Sequence, residues 1–183
     1  MKARKAVLLS PLLLIAACRE DTVQVPAAVD MTEDALGFYC QMELAEHDGP
    51  KGQAQLDGMP APIFFSQVRD VIAYLHMPEQ SHAVQAAYVQ DMSGADWSAP
   101  GNWMRVEDAL YVAGSDAVGG MGAAEFVPFS DRAAADAFVS RHGGQVLAYG
   151  EIRTGDVLGA APAAGETTPD SSDISARLKA LGQ

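Results

Sequence analysis

The sequence predicts an α+β fold made of two related, small β-β-α-β units that lie between an N-terminal tether and a C-terminal tail. An internal repeat predicts the two units, because each half has an apolar stretch, a Phe-Ser pair and a helical run with an aromatic residue eight positions after the serine. The repeated residues are Phe65, Ser66 and Tyr74 in the first half and Phe129, Ser130 and Phe138 in the second. A shift towards Ala, Gly, Pro, Ser, Thr and acidic residues after position 153 predicts the tail.

The first unit is assigned to residues 36–100. Its expected elements are a strand at 37–42, a strand near 53–56, a helix capped by Ser66 and a strand at 83–90. Val68, Ile72 and Leu75 are spaced four and three positions apart, so they form one apolar stripe on the helix. This stripe predicts which face of the helix packs on the sheet.

The second unit is assigned to residues 101–153. Its expected elements are a strand at 109–113, a strand at 124–127, an alanine-rich helix capped by Ser130 and a strand at 146–152. A segment rich in Gly, Ser and Pro, residues 93–102, is expected to connect the two units.

The N-terminus has the features of an export signal. Three positive charges among the first five residues precede an apolar run of about 11 residues at positions 7–17. A helix of that length is too short to cross a bilayer core of roughly 30 Å. Small residues then precede Cys18, which is typical of the lipobox of bacterial lipoproteins. We expect residues 1–17 to be removed and Cys18 to carry lipid; a cleaved signal without lipid is the alternative.

The segments at the two ends of the mature chain are expected to lack a packed core. Residues 18–35 are interpreted as the tether and residues 154–183 as a low-complexity tail. Apolar residues spaced four and three positions apart within 173–181 predict a short helix near the end, with a frayed tail as the alternative. Arg19 follows Cys18 in place of an aspartate, which favours the outer membrane and a location on the periplasmic side of the envelope.

The charge of the chain excludes some classes of function. The formal net charge is −12, from 24 acidic and 12 basic residues. Nucleic-acid-binding proteins and basic helices that lie on membranes need the opposite balance. The lipid is therefore the expected anchor, and no nucleic-acid partner is expected.

Cys40 is the central candidate for chemistry, because it is the single thiol left if Cys18 carries lipid. An unpaired cysteine outside the cytoplasm is buried and inert, reactive, or a metal ligand. On a strand, Cys40 and Met42 would share one face. A thiolate beside a thioether favours Cu(I), whereas zinc sites rarely contain methionine. Two ordinary core residues are the alternative interpretation.

A third ligand is expected from another part of the chain. Met121 is the first candidate, because the glycines on both sides of it allow the backbone to approach closely. A methionine that fills a gap in the core is the alternative. Met59 has comparable neighbours and is held in reserve. His47 lies near the Cys40 segment, but its polar neighbours favour a solvated loop histidine. His142, before two glycines, is interpreted as a helix-end residue.

Several common catalytic motifs are missing from the sequence. It contains no Gly-x-Ser-x-Gly elbow, no P-loop and no His-Glu-x-x-His motif. A thiol enzyme with Cys40 as its nucleophile stays possible, but no histidine is spaced to activate it. A lipoprotein without metal that scaffolds an envelope assembly is a further alternative. A non-enzymatic role is preferred.

The combined features resemble the NosL family, the accessory lipoproteins of nitrous oxide reductase. The features that match are the lipobox at Cys18, the segment Phe-Tyr-Cys40-Gln-Met42, the Gly-Gly-Met121-Gly loop and the helix after Ser130, over roughly residues 14–152. The resemblance implies a Cu(I)-binding metallochaperone, with Cys40, Met42 and Met121 as the ligands. It also implies docking on an ABC-type membrane complex and delivery of copper towards nitrous oxide reductase in denitrification.

The resemblance also implies a fold like that of the organomercurial lyase MerB. That lyase uses a pair of cysteines together with an acid, whereas this chain keeps one free thiol beside its lipobox cysteine. Lyase activity is therefore not expected.

Overall fold

Both halves of the repeat fold into the same arrangement of three strands and one helix. The computed structural model describes residues 25–158, and within this range two small antiparallel sheets are each packed against one helix. The strands are β1 (Gly52–Leu56), β2 (Ile63–Phe65), β3 (Val84–Gln90), β4 (Trp103–Arg105), β5 (Leu110–Ala113), β6 (Val127–Phe129) and β7 (Gln145–Ala148). The helices are α1 (Val68–His76), α2 (Arg132–His142) and α3 (Thr154–Leu158).

The strand order confirms the predicted α+β fold of two β-β-α-β units. The first sheet has the order β2-β1-β3-β4 and the second has the order β6-β5-β7. In each unit the first strand lies in the centre, with the second strand on one side and the strand after the helix on the other. Phe65 and Phe129 occupy the same place, because each is the last residue of the second strand of its unit.

The predicted strand at 37–42 is wrong. Hydrogen bonds from Gly37 N to Met42 O (3.0 Å) and from Gln41 N to Gly37 O (2.8 Å) close this segment into a turn. Gln41 has a φ of 56°, which lies in the left-handed region and breaks an extended backbone. The place beside β1 belongs to β2, whose Ile63, Phe64 and Phe65 pair with Ala54, Gln53 and Gly52.

Both predicted helix caps are also wrong. Helix α1 follows Gln67 and has no cap from its own N-cap side chain, while α2 is capped by Asp131, whose carboxylate accepts from Ala134 N at 2.8 Å. Ser130 instead donates to the Asp91 carboxylate. Two strands are shifted from their predicted bounds: β6 is Val127–Phe129, and β7 ends at Ala148.

The core joins the two units. Val68 and Ile72 of the predicted stripe are completely buried, while Leu75 is partly buried at the edge of the core. Tyr111 of β5 and Phe126 lie in the same buried cluster as α1, so the second sheet packs directly against the first unit. A separate cluster between α2 and its own sheet completes the second unit.

The N-terminal segment is packed on the first sheet, although the whole of 18–35 was expected to be a tether. Gln53 Oε1 accepts from Val29 N at 2.9 Å, and Gln53 Nε2 donates to Val29 O at 2.9 Å. Gln55 Nε2 donates to Ala27 O at 3.2 Å. These glutamines are on the face of β1 that is turned away from α1. Both are buried, with polar groups that need partners, and the backbone of residues 27–29 supplies them.

At the other end of the described chain, the folded region also extends beyond its predicted last residue. Residues 154–158, assigned to the tail, form α3, and Val157 of this helix is buried against α1. Arg69 of α1 donates to Val157 O at 2.9 Å. Among the residues that the structure describes, no helix is long and apolar enough to cross a membrane. The lipobox with Cys18 and the predicted helix at 173–181 lie outside the described range.

Candidate metal centre

Cys40 lies in a tight turn that is fixed at both ends. Leu36 and Glu43 pair across the base of the turn, and Phe38 N donates to Phe64 O of β2 at 2.7 Å. Cys40 Sγ donates to Ser66 Oγ at 3.7 Å. A Cβ atom on Gly37 would collide with the sulfur, so a larger residue there would displace the thiol. The thiol is therefore held against the residue that follows β2.

Met42 belongs to the same turn as Cys40, but not in the way predicted. The two residues do not alternate along a strand. Met42 has 40% of its surface exposed, and its carbonyl accepts the bond from Gly37 that closes the turn. A flexible, exposed thioether two positions from the thiol can adopt several rotamers.

The loop that carries Met121 approaches the same part of the molecule. Val118 and Ala124 pair at its base, and Gly119 N donates to Ala123 O at 2.8 Å. Met121 N donates to Gln67 Oε1 at 3.2 Å, while its side chain is 43% exposed. The close approach predicted from the glycines is present, because a Cβ atom on Gly120 would lie 3.0 Å from Ser66 O.

The Cys40 turn and the Met121 loop therefore meet at one dipeptide, Ser66–Gln67, between β2 and α1. We call this dipeptide the junction. Ser66 contacts the thiol through its hydroxyl, and Gln67 holds the backbone of Met121 through its amide. Both junction residues are buried. Cys40 is in no disulfide in the described structure.

His47 is the candidate that the sequence did not favour. Its Nε2 is buried and has no hydrogen-bond partner among the described residues. The side chain packs against the Met121 loop, since a Cβ atom on Gly120 would lie 2.8 Å from His47 Cβ. Lys51 Nζ donates to His47 O at 2.5 Å and to Gly49 O at 2.6 Å, which fixes this loop from within. A buried imidazole nitrogen normally has a polar partner, and this one lies on a residue that contacts the Met121 loop.

Ionisable groups near the junction are strongly affected by burial. Burial lowers the pKa of the Lys51 ammonium to about 8, although the charge of Glu125 acts in the opposite direction. Burial likewise raises the pKa of Asp70, whose carboxylate accepts from Gln67 Nε2 at 2.9 Å. Burial also raises the pKa of Tyr39, which lies near Asp70. Burial thus affects ionisable groups on the segments next to the junction, whereas the thiol turn itself is largely exposed.

Apolar side chains are exposed around the Cys40 turn. Phe38 and Tyr39 contact each other and Phe65, with ring centroids 5.2 to 5.9 Å apart, and the Tyr39 hydroxyl contacts Met77 Sδ at 3.6 Å. The large apolar residues of this region that stay at least 40% exposed are Leu36, Phe38, Tyr39, Met42 and Met77. Contiguous exposed apolar surface of this kind is typical of an interaction site.

Other sequence candidates lie elsewhere. Met59 is in the β1–β2 hairpin, at the opposite end of β1 from the junction, so it is no longer a reserve ligand. His142 ends α2 as predicted, and its Nδ1 lies 2.9 Å from Asp116. A cavity of about 570 Å³ between α2 and the segment 92–97 contains none of the sulfur candidates.

The atoms near the junction that could bind a metal ion are soft or borderline Lewis bases. Cys40 supplies a thiol, the exposed methionines supply thioethers, and His47 supplies an imidazole nitrogen. Within residues 25–158 no group of three or more His, Cys, Asp or Glu side chains could hold a metal ion. Hard cations such as Mg²⁺ and Ca²⁺ need oxygen ligands, so this set of donors fits a soft monovalent ion better.

Comparisons with known proteins agree with this chemistry. Residues 28–157 match the family described as NosL. The chain is 48% identical over 184 residues to the "Copper-binding lipoprotein NosL" of Achromobacter cycloclastes, a match that covers 98% of this chain and 95% of that protein. It is 32% identical over 116 residues to the protein of the same description from Stutzerimonas stutzeri, covering 62% of this chain and 59% of that one.

A solved structure shows the same fold. The crystal structure of the copper chaperone NosL from Shewanella denitrificans superposes with a TM-score of 0.63 at 30% sequence identity. The match covers 69% of this chain and 97% of that chain.

Proposed function

This chain belongs to the NosL family, and from that premise we propose that it is a copper chaperone of the cell envelope that binds Cu(I). The proposed ligands are Cys40, Met42 and Met121. The homologues are described as copper-binding lipoproteins and as a copper chaperone, not as enzymes. The proposed cargo is passed on for the maturation of nitrous oxide reductase.

One structural observation is the main support for the proposed copper site. The Cys40 turn and the Met121 loop are far apart in sequence, yet both contact Ser66–Gln67. The methionines are exposed, although an apolar side chain normally gains by burial. Exposed thioethers on segments that reach the same dipeptide as the thiol contribute little to core packing but are suitable ligands for an ion that must enter and leave.

The proposed oxidation state of the copper rests on the chemistry of the donors. A thiolate with thioethers favours Cu(I) over Zn²⁺ and over harder ions. The buried, unpartnered His47 Nε2 is available as a further donor next to the Met121 loop. We include it as a candidate that supplements or alternates with one of the thioethers.

Transfer of copper requires a site that a partner can reach. The exposed apolar side chains around Cys40 provide a surface on which an acceptor can dock, and the proposed acceptor is an ABC-type membrane complex of the copper-delivery pathway. An incoming ligand would attack an open coordination position, and copper would move by stepwise exchange of ligands. Lipid on Cys18 would hold the protein at the periplasmic side of the envelope, on the outer membrane.

The ligand set is tested by anaerobic titration with Cu(I) in competition with a chromophoric Cu(I) chelator. We expect Cys40→Ser to weaken binding by more than about a hundredfold, because loss of an outer-shell partner alone typically costs 10- to 100-fold. Met42→Leu and Met121→Leu should each weaken binding by a smaller factor.

The matched control is Met59→Leu, which changes an equally exposed methionine at the far end of β1. Its affinity should equal that of the wild type. Equal affinity in Cys40→Ser and the wild type would falsify the proposed site.

A further inference from the structure

We propose that Glu125 is a positioning residue of the copper site, which fixes the Met121 loop on the Ser66–Gln67 junction so that the Met121 thioether is presented on the side of Cys40. This inference rests on the proposed function, because it assigns a task to Met121 as a ligand. Glu125 itself contacts no proposed ligand side chain, and it acts through the backbone around the junction.

Glu125 links the two units at the start of α1. It comes from the second unit, yet its carboxylate accepts from Val68 N at 3.1 Å and from Arg69 N at 2.8 Å. It also accepts from its own neighbour, Phe126 N, at 2.8 Å. Only 2% of the residue is exposed. The junction dipeptide immediately precedes these capped amides, so the carboxylate determines where the junction lies relative to the second unit.

The same carboxylate also limits the Met121 loop. A Cβ atom on Gly119 would lie 2.7 Å from Glu125 Oε2 and 2.6 Å from Gln67 Oε1. The backbone at Gly119 is therefore pressed against both side chains. Gln67 then binds the next part of the loop, at Met121 N. The loop is held from two sides by a carboxylate and an amide.

The equivalent helix of the second unit is capped in a different way. Helix α2 is capped locally by Asp131, and such a cap is typically worth about 1 kcal/mol. At the start of α1 the capping group comes from a distant residue, and a buried carboxylate costs far more to desolvate than an exposed one. The distant carboxylate does what a local cap cannot do, since it ties the segment that ends the Met121 loop to the junction.

The test is a double-mutant cycle on the Cu(I) affinity of the purified full chain, with Glu125→Gln and Met121→Leu. Glutamine has the shape of glutamate but only one acceptor oxygen, so it cannot satisfy all three amides. We expect Glu125→Gln to weaken Cu(I) binding about tenfold, and the double variant to bind no more weakly than Met121→Leu alone. Such non-additivity shows that both changes remove the same interaction.

Additive losses, or wild-type affinity in Glu125→Gln, would overturn the inference while the proposed ligand set stands. A Met121→Leu variant with wild-type affinity would overturn both, and that result is visible before the cycle is completed. Asp131→Ala serves as the control for stability, because it removes a helix cap remote from the junction. It should lower the free energy of unfolding and leave the Cu(I) affinity unchanged.

A second measurement needs no metal. In the apo protein, hydrogen exchange at the Met121 amide should become faster in Glu125→Gln, while exchange at central amides of β1 stays slow. If Glu125→Gln does not fold, Gln67→Leu replaces it in the cycle, because leucine brings no sulfur to the site. That change removes the acceptor of the Met121 amide and leaves the carboxylate cap of α1 in place. Unchanged exchange at Met121 in the folded variant contradicts the positioning role.

Discussion

The buried carboxylate of Glu125 should make the stability of the protein depend on pH near neutrality. Burial raises its pKa from the ordinary 4.5 to about 7, even though the amides of Arg69, Phe126 and Val68 act in the opposite direction. The folded state therefore holds this proton more tightly than the unfolded chain does. A shift of this size corresponds to about 3 kcal/mol at about 1.4 kcal/mol per pKa unit.

The sign of this pH dependence of stability follows from proton binding. Between pH 4.5 and about 7 the folded protein binds more protons at Glu125 than the unfolded chain does, so the free energy of unfolding falls as pH rises. The contribution of Glu125 is complete below pH 4.5 and is lost as pH rises through about 7. Glu125→Gln has no proton to release, so it lacks this part of the slope.

Urea denaturation at a series of pH values from 4.5 to 8 measures the effect, with the apo protein at constant ionic strength. The quantity to compare is the difference in free energy of unfolding between wild type and Glu125→Gln, because the contributions of other titrating groups cancel in it. We expect that difference to move by about 3 kcal/mol in favour of the variant as the pH rises. A difference that stays constant across the range refutes the assigned pKa and the burial that causes it.

Two further substitutions test the packing around the site and the core. Gly120→Ala places a methyl group about where it would meet His47 Cβ, so we expect weaker Cu(I) binding by competition titration with little change in the far-ultraviolet circular dichroism spectrum. Wild-type affinity in that variant would show that close approach of the loop is not required. Ile72→Ala removes a completely buried side chain of α1 and should lower the free energy of unfolding by about 2–5 kcal/mol in urea. A loss below 1 kcal/mol would contradict the position of Ile72 in the core.

The parts of the fold that could be predicted from the sequence depend on local periodicity. Val68 and Ile72 lie on one side of a helix because of their spacing alone, and both are buried as that spacing requires. The two Phe-Ser pairs likewise mark equivalent ends of strands in the two units. These signals extend over a few residues, so no knowledge of distant contacts was needed to interpret them.

The predictions were wrong for segments whose conformation depends on contacts with residues distant in the sequence. Phe38, Cys40 and Met42 alternate with polar or aromatic neighbours as a strand would, but a strand needs a partner, and β2 already occupies the place beside β1. Ser66 resembles a helix cap, whereas the actual acceptor at α1 is Glu125, more than fifty positions along the chain. Tertiary contacts overrode both local patterns.

At the candidate site, too, features set by local sequence could be predicted and features set by distant contacts could not. Cys40 and Met121 were identified by residue type, by compartment and by neighbouring glycines, all of which are visible in the sequence. His47 was interpreted as a solvated residue because its neighbours in the chain are polar. Its side chain instead contacts the Met121 loop and its Nε2 is buried, and no local pattern predicts either feature.

The packing of residues 27–29 on the first sheet limits the orientations that the folded domain could adopt if it were anchored to a membrane through Cys18. The segment enters beside Gln55 and runs past Gln53, so the chain comes in at the end of β1 remote from the junction. Cys18 is seven positions before Val25, so the two residues can be at most about 25 Å apart. A folded body of this size is roughly 35 Å across, so with a lipid at Cys18 the link would be too short for complete inversion of the body. The end of the body that contains the junction would then not be turned directly onto the bilayer.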